Sequence, residues 1–179
     1  MSPGAPRLLL AALALALVAP EARAACTDAA AAGVQWRRCL LDGTDLSGAD
    51  LAEADMRDTS LKRSNLDGAN LTGVQARRTS FVSSTLREAD LSGADLVQAD
   101  FTSADLSGAK LVGTTLRSAR LFQANLRGAD LTDAVLQGAD LLRADFSGAR
   151  WTDGKTICAE GSIGRCHPSP GNSGARIQG

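Results

Sequence analysis

Large apolar residues recur at every fifth position between Leu41 and Trp151. Positions 41, 46, 51 and so on to 151 make 23 members, and the phase of the series never changes. Ala76 is the one small residue among them; the others are Leu, Met, Phe or Trp. A small side chain, most often Ala, lies two residues before each member, and the other three positions of each step carry nearly all of the charge.

A period of five fits neither regular secondary structure. Five residues of an α-helix advance about 500°, so successive members would move around the axis by roughly 140° and form no stripe. Residues five apart on a flat strand point to opposite faces. To bury all members together, the chain must turn a corner once per five residues. Such periodicity is typical of a solenoid, whose coils bury a core only by stacking on their neighbours.

The outward positions carry turn residues. Gly is frequent two residues after the large member, as at Gly48 and Gly93, and it adopts the backbone of a tight corner without steric cost. Asp, Asn, Ser or Thr usually precedes the large member, and these side chains hydrogen-bond to nearby backbone in turns. We therefore interpret recurring acids such as Asp90, Asp95 and Asp105 as turn-stabilising groups.

Three blocks show a family resemblance: Ala49–Glu53, Ala94–Gln98 and Ala129–Asp133. Their sequences resemble the A-(D/N)-L-x-x pattern of the pentapeptide-repeat family. The resemblance implies an all-β fold, a right-handed quadrilateral parallel β-helix with four pentapeptides per coil. The repeats would make about 5.5–6 coils, a rod of roughly 27 Å at the inter-strand spacing of about 4.8 Å.

The expected organisation has caps at both ends of this solenoid, because open ends would expose strand edges and core leucines. We assign residues 25–40 to an N-terminal cap, 41–153 to the β-helix, 154–166 to a C-terminal cap and 167–179 to a disordered tail. The C-terminal cap resembles the segment found in exported bacterial members of the family. We expect Ile157 and Ile163 to cover the last leucines. A local dent or irregular coil is expected at Ala76.

Residues 1–24 have the features of a secretory signal peptide. Arg7 gives a basic start, Leu8–Ala19 is an apolar run, and Ala22–Ala24 is an A-x-A cleavage site. The apolar run is too short to span a bilayer, which takes about 20 residues. We expect an exported, periplasmic or secreted protein that starts after Ala24, without stable membrane insertion. In a lipoprotein alternative Cys26 would be lipidated, but Arg23 occupies the position where that signal needs a Leu-like residue.

The cysteines lie only at the two ends of the repeats. In an exported protein an even number of cysteines indicates disulfides. Because the ends lie a rod length apart and a bridge spans only about 4.4–6.8 Å between Cα atoms, we predict the local pairs Cys26–Cys39 and Cys158–Cys166. Free thiols or a zinc site are the alternatives, but zinc favours closely spaced Cys pairs or several histidines, and His167 is the single histidine.

Charge and chemistry exclude several functional classes. Without Arg7, Glu21 and Arg23 the chain has 17 basic and 19 acidic residues, a formal charge of −2, from the 19 and 20 of the full sequence. This balance and the scarcity of aromatic residues argue against nucleic-acid binding. No nucleophile has a partnered base, and neither a calcium-binding repeat nor a phosphate loop occurs. We expect no catalytic residue, no cofactor and no metal.

If coils repeat every 20 residues, the outward positions stack into columns. One column is basic: Arg57, Arg77, Val97, Arg117 and Gln137, with Arg78 beside Arg77. Another includes apolar residues: Asp42, Lys62, Val82, Thr102, Phe122 and Leu142. Because exposed apolar patches often mark partner surfaces, we predict a candidate interaction surface at Arg57, Arg77, Arg78, Arg117, Phe122 and Leu142. The alternative is that single exposed apolar residues are ordinary and that the arginines only pair with Asp55 and Asp58.

These observations favour a non-enzymatic, exported structural or protein-interaction module that presents the side faces of a rigid β-helix to an unknown protein partner. The family resemblance implies an alternative. Some pentapeptide-repeat proteins resemble duplex DNA in size and negative charge and interact with DNA gyrase. An export signal and a balanced charge disfavour that role here. An enzyme, the third class, has no motif to support it.

Overall fold

The computed structural model describes residues 26–170, and in this part of the chain the β-structure consists of isolated bridges, with no helix and no longer strand. Twenty parallel bridges join residues that are 20 apart, from Gln35↔Asp55 to Asp130↔Arg150. The bridges recur every fifth residue, so four five-residue steps complete one coil. The prediction of a parallel β-helix with four pentapeptides per coil is confirmed. No helix within residues 26–170 is long and apolar enough to cross a membrane.

Each corner is a hydrogen-bonded turn that begins at the large residue. The Ala94 N–H donates to the Leu91 carbonyl at 3.0 Å, and Gly93 between them has a φ of +69°. A positive φ at the third residue is the pattern of a type II turn. The same geometry recurs at every fifth residue from position 33 to 148, and 13 of these positive-φ residues are not glycine. Glycine is therefore favourable at these corners but not required, since other residues adopt the same positive φ.

Successive coils are joined by backbone hydrogen bonds. The Leu91 N–H donates to the Lys110 carbonyl of the next coil at 2.8 Å. The Asp90 N–H donates to the Ala69 carbonyl of the coil before at 3.0 Å. Gly93 also donates to the next coil. The ladder thus satisfies three of the five N–H groups of each interior step, those of the bridge residue, the large residue and the positive-φ residue. The turn satisfies a fourth, as at Ala94, which leaves one N–H without a backbone acceptor.

The remaining N–H belongs to the residue after the large member, and in thirteen steps of the described coil an Asp or Asn side chain two residues earlier accepts it. The Ser92 N–H, for example, donates to Asp90 Oδ1 at 3.0 Å. The recurring acids are therefore turn groups, as the sequence predicts.

The large residues form stacked rows inside the coil, and most of them are fully buried. Phe81 and Phe101 stack in adjacent coils with ring centroids 4.8 Å apart. Small polar residues of the core find backbone partners: the Thr79 and Ser84 hydroxyls each donate to a carbonyl of the preceding coil at 2.5 Å. Among the described residues no buried side-chain nitrogen or oxygen lacks a partner. Apolar packing and hydrogen bonding are satisfied together.

Ala76 does not disturb the backbone. It is fully buried, its N–H donates to the Asp95 carbonyl at 2.9 Å, and its carbonyl accepts from Thr79 at 3.2 Å. The expected irregular coil is therefore absent at the level of the backbone, because the inter-coil ladder and the turn do not depend on the size of the inward side chain. The next step of the same coil carries Phe81, a larger side chain than the usual Leu.

At the N-terminal end the five-residue geometry begins ten residues before Leu41. Turns and bridges already run through residues 31–40, which we expected to form a cap. Trp36 occupies the large position in phase with Leu41 and is 3% exposed. Cys26 and Cys39 form a disulfide with Cα atoms 5.4 Å apart. The predicted pairing is confirmed, and only the residues before Ala31 precede the coil.

At the C-terminal end a segment covers two sides of the last coil in antiparallel register. Bridges join Arg150 to Ile157 and Asp145 to Ile163. Directly opposed residues of an antiparallel pair share a face, so both isoleucines lie on the outward side with Asp145 and Arg150. Ile163 is 49% exposed, and the expectation that it covers the last leucines is wrong. Cys158, which is 1% exposed, packs into the core instead.

The second predicted disulfide, Cys158–Cys166, is present with a Cα separation of 5.0 Å. All four cysteines are paired, which excludes the free-thiol and zinc alternatives. Residues 167–170 are paired rather than disordered: Cys158 bridges Pro168, and the Ser169 N–H donates to the Ile157 carbonyl at 2.9 Å. The expected signal peptide and residues 171–179 of the expected tail lie outside the described residues.

We predict that Gly93→Ala lowers the free energy of unfolding by about 1 kcal/mol, because an L side chain resists a positive φ. A Cβ at Gly93 meets nothing within 4 Å, so the loss reports on the backbone alone. Gly93→Asn should lose less, since Asn tolerates this conformation better. Gln98→Ala, at the next corner, is the control and should be near neutral. Chemical denaturation measures all three, and an unchanged stability for Gly93→Ala would contradict the strain.

Asp153 provides a pH test of the C-terminal cap. Its carboxylate accepts the Thr156 hydroxyl at 2.6 Å and two backbone N–H groups. These bonds, the Thr156 hydroxyl first, lower the pKa of Asp153 from 3.8 to about 2. The stabilisation is present above pH 3.8 and is lost as the pH falls toward 2.

We predict that Thr156→Val moves the Asp153 pKa back toward 3.8, because the hydroxyl donor is removed. Carboxyl-carbon NMR titration measures it. Thr152→Val is the control and should leave the titration unchanged. An Asp153 pKa that does not respond to Thr156→Val would show that the cap does not hold this hydrogen bond.

Candidate interaction surface

The outward residues form four faces, which we name by a large residue on each: the Leu41, Leu46, Leu51 and Met56 faces. Each face collects the steps whose large residues lie 20 apart, and its outward residues are the one before and the two after each large residue. Trp36 belongs to the Met56 face. Because the four faces point in different directions, the distribution of charge among them matters more than the total.

The near-neutral charge of the chain hides a strong asymmetry. Through residue 150 the Met56 face carries six cations and three acids, a formal +3. The Leu46 and Leu51 faces each carry five acids and two cations, a formal −3. The Leu41 face carries four cations and three acids, a formal +1. One face is therefore basic and two neighbouring faces are acidic.

All six cations of the Met56 face are arginines. Four of them are the predicted residues Arg57, Arg77, Arg78 and Arg117, and the structure adds Arg37 and Arg38. Sequence reasoning missed these two because it assigned residues 25–40 to a cap. The phase of Trp36, five residues before Leu41, was the signal that could have found them.

Several of these arginines are held by aspartates of the same face. Asp55 is the buried acid of the described chain, with a side chain 7% exposed. The Arg57 Nε donates to Asp55 Oδ1 at 2.8 Å, and Arg37 Nε lies 3.6 Å from Asp55 Oδ2. The Arg57 hydrogen bond holds the pKa of the Asp55 carboxyl below its ordinary value of 3.8. Pairing of arginines with Asp55, the alternative to an interaction surface, is therefore present for Arg37 and Arg57.

The other pairs of this face are exposed. Arg78 binds Asp58 through two bonds, Nε to Oδ1 at 2.6 Å and Nη2 to Oδ2 at 2.9 Å, and this lowers the pKa of Asp58. Arg77 Nε donates to Asp95 Oδ2 at 2.5 Å. Within residues 26–170, Arg38 and Arg117 form no ion pair. Both are exposed.

The predicted apolar column lies on the Leu41 face and is partly covered. Leu142 is 61% exposed, whereas Phe122 and Val82 are half-buried. The Arg143 guanidinium lies 5.9 Å from the centre of the Phe122 ring, within the range of a cation–π interaction. Leu40, also on this face, is 83% exposed at the opposite end. The structure thus separates Leu142 from the arginines, on a neighbouring face.

Leu142 borders the side of the last coil that the cap leaves open. The N–H groups of Leu136, Gly138, Leu141 and Arg143 find no backbone acceptor within residues 26–170. Leu136 and Leu141 are only partly buried, unlike their counterparts in inner coils. The cap therefore protects the Leu46 and Leu51 sides of this end and not the other two.

No catalytic or metal-binding arrangement appears among the described residues. No group of three or more His, Cys, Asp or Glu is placed to hold a metal ion. His167 accepts a hydrogen bond at Nε2 from Arg165 Nε at 2.9 Å. Its imidazole therefore pairs with a cation rather than with a nucleophile.

The sequence matches the family model described as Pentapeptide repeats, in eight copies over residues 22–58, 44–81, 79–117 and 116–150. This chain belongs to the pentapeptide-repeat family. Membership implies the right-handed, quadrilateral form of the coil, and proteins of this family are generally structural or protein-interaction proteins. No curated protein matches the sequence.

Solved pentapeptide-repeat structures are similar to the chain. HetL, involved in heterocyst differentiation regulation in Nostoc sp. strain PCC 7120, is 29% identical with a TM-score of 0.48; the alignment covers 70% of this chain and 64% of HetL. A protein of the Arabidopsis thaliana thylakoid lumen is 33% identical with a TM-score of 0.24, over 66% and 72% of the two chains. QnrB1, a plasmid-mediated fluoroquinolone resistance protein, is 19% identical with a TM-score of 0.43, over 66% and 70%.

We predict that Arg57→Gln lowers the free energy of unfolding by about 2 kcal/mol at pH 7, because it leaves a buried carboxylate without its main hydrogen bond. Arg77→Gln, the matched control in an exposed pair, should change it by less than about 0.5 kcal/mol. Since the pKa of Asp55 is lowered in the folded state, the Arg57 contribution is present above pH 3.8 and shrinks as the pH falls below it. Urea denaturation at several pH values measures both variants, and equal losses would contradict the assignment.

Proposed function

We propose that this pentapeptide-repeat protein is an exported, non-enzymatic interaction module, a rod of about six coils that presents its side faces to a protein partner. The observation that carries the proposal is the pair of neighbouring columns on the Met56 and Leu41 faces. The Met56 face collects six arginines and the column of the Leu41 face ends in exposed Leu142, yet these side chains take no part in the turns or the apolar core.

The rigidity of the coil supports this role. Every interior step is held by two inter-coil ladders and a turn, and a disulfide lies at each end of the described coil. Side chains on such a frame keep their spacing when they meet a partner, so little conformational entropy is lost on binding. Disulfides also persist in oxidising compartments rather than in the cytosol, in line with the signal-peptide features of residues 1–24.

The alternative is a gyrase-interacting protein that mimics DNA. The acidic Leu46 and Leu51 faces favour it, because their charge is hidden in the balanced total. Two features count against it: the signal-peptide features of residues 1–24, and the arginine-rich Met56 face, which a duplex mimic would have to keep away from its partner. The likeness to QnrB1 adds nothing to this choice, because its TM-score is below 0.5.

The test combines fractionation with site-specific crosslinking in the native cell. We expect a periplasmic or secreted chain whose N-terminus is Ala25, and crosslinks to a protein partner from a photoreactive residue at position 102 on the Leu41 face. The double variant Phe122→Ser and Leu142→Ser should keep the fold and lose these crosslinks, and Thr72→Ser on the Leu51 face is the control.

Recovery of the uncleaved chain in the cytoplasm would overturn export. Inhibition of DNA gyrase supercoiling by the purified protein would replace the proposal with the alternative. Crosslinks that survive the double variant would remove the Leu41 face from the interaction surface.

A further inference from the structure

Building on the proposed interaction role, we propose that the Met56 face binds an acidic segment of a partner polypeptide. The six arginines of this face lie at four of its six levels along the rod: Arg37, Arg38, Arg57, Arg77, Arg78 and Arg117. The level of Val97 has none. No other face of the described coil carries more cations than acids by a margin of more than one. A polyanion that meets the protein is therefore directed to one face.

The face already shows how it binds carboxylates. Arg78 grips both oxygens of Asp58 in a two-point pair, and arginine prefers this planar geometry for carboxylate recognition. The arginine side chains stay open to solvent while paired: Arg37, Arg77 and Arg78 are 52%, 54% and 57% exposed. A carboxylate of a partner therefore binds beside these aspartates or displaces them from their arginines.

Two arginines of the described face form no ion pair, and their positions set a length. Arg38 and Arg117 form no ion pair within residues 26–170 and lie almost four coils apart. At about 4.8 Å per coil this is about 19 Å along the axis, the length of about six extended residues. Arg38 and Arg117 could therefore bind the two ends of a short acidic peptide that lies along the rod. Between them lie the exposed ion pairs of Arg77 and Arg78, whose aspartates a peptide carboxylate could replace.

The chemistry of the face favours a peptide over other polyanions. Its outward residues include no aromatic side chain on which a base could stack. The exposed large apolar residues, Leu40, Leu142 and Ile163, all lie off this face, whereas membrane surfaces are usually met by basic and apolar side chains together.

The experiment measures binding of the purified full chain, with its disulfides intact, to a fluorescent octaglutamate peptide by anisotropy. The face variant replaces Arg38, Arg77 and Arg78 by Gln. The matched control replaces Arg87, Lys110 and Arg127 by Gln, which changes the net charge equally and also breaks exposed ion pairs. A second face variant, Arg38→Gln with Arg117→Gln, breaks no ion pair and keeps the test valid if the triple variant is destabilised.

We expect the face variant to weaken peptide binding by about tenfold and the control by less than about twofold at low salt. Binding should weaken further as the ionic strength rises, because exposed charges are screened. Arg→Lys at the three positions should restore part of the affinity through charge alone.

Equal losses in the face variant and the control, or no loss in either face variant, would overturn the assignment. Tighter binding to duplex DNA or to phosphatidylglycerol vesicles than to the peptide would overturn the choice of a polypeptide. The native crosslinking experiment is scored separately: if its crosslinks persist while the face variants bind the peptide normally, the interaction role stands and only the Met56 assignment fails.

Discussion

The corner-closing hydrogen bond is the constraint on which the rest of the structure depends. In each step the N–H three residues after a large residue, as at Ala94, returns to that residue's carbonyl, and the residue before the donor takes a positive φ. This turn leaves one residue per side free to bridge the next coil, so the β-structure consists of single bridges rather than strands. It also sets both inward positions. The stacked leucines are a result of the turn as much as a cause of the fold.

The same constraint separates structural residues from residues that are free to serve another role. Asp90 accepts the Ser92 N–H, which has no other acceptor, so its carboxylate is needed inside its own turn. The side chain of Arg117 has no structural role of this kind. It bonds to no carboxylate of the described chain, and in other steps the same position after the large residue is Ser, Val or Gln. Function on this surface therefore falls to side chains that the coil does not require, such as Arg117.

The sequence could predict a solenoid and its inward residues from the period, and both disulfides from distance along the rod. The four steps per coil came from the resemblance to the pentapeptide-repeat family. It could not predict the role of Ile163, because the cap returns antiparallel and places that side chain outward beside Asp145. It placed the start of the coil at Leu41, since Trp36 was assigned to a cap despite its phase. The charge of single faces could be read only once the 20-residue register had been extended to Arg37 and Arg38. The five-residue period carries no information about which partner the protein binds.

The 20-residue register has a consequence for how such a chain can change in length. A five-residue insertion fits the turn and the core at almost any corner, but it moves every later side chain one face around the rod. Inserted between Arg57 and Arg77, it would split the arginines between two sides while leaving the coil well packed. A full 20-residue unit would lengthen the rod and keep every column in line. The turns and the inter-coil ladder thus tolerate changes in steps of five, whereas a surface that spans several coils survives only changes in steps of 20.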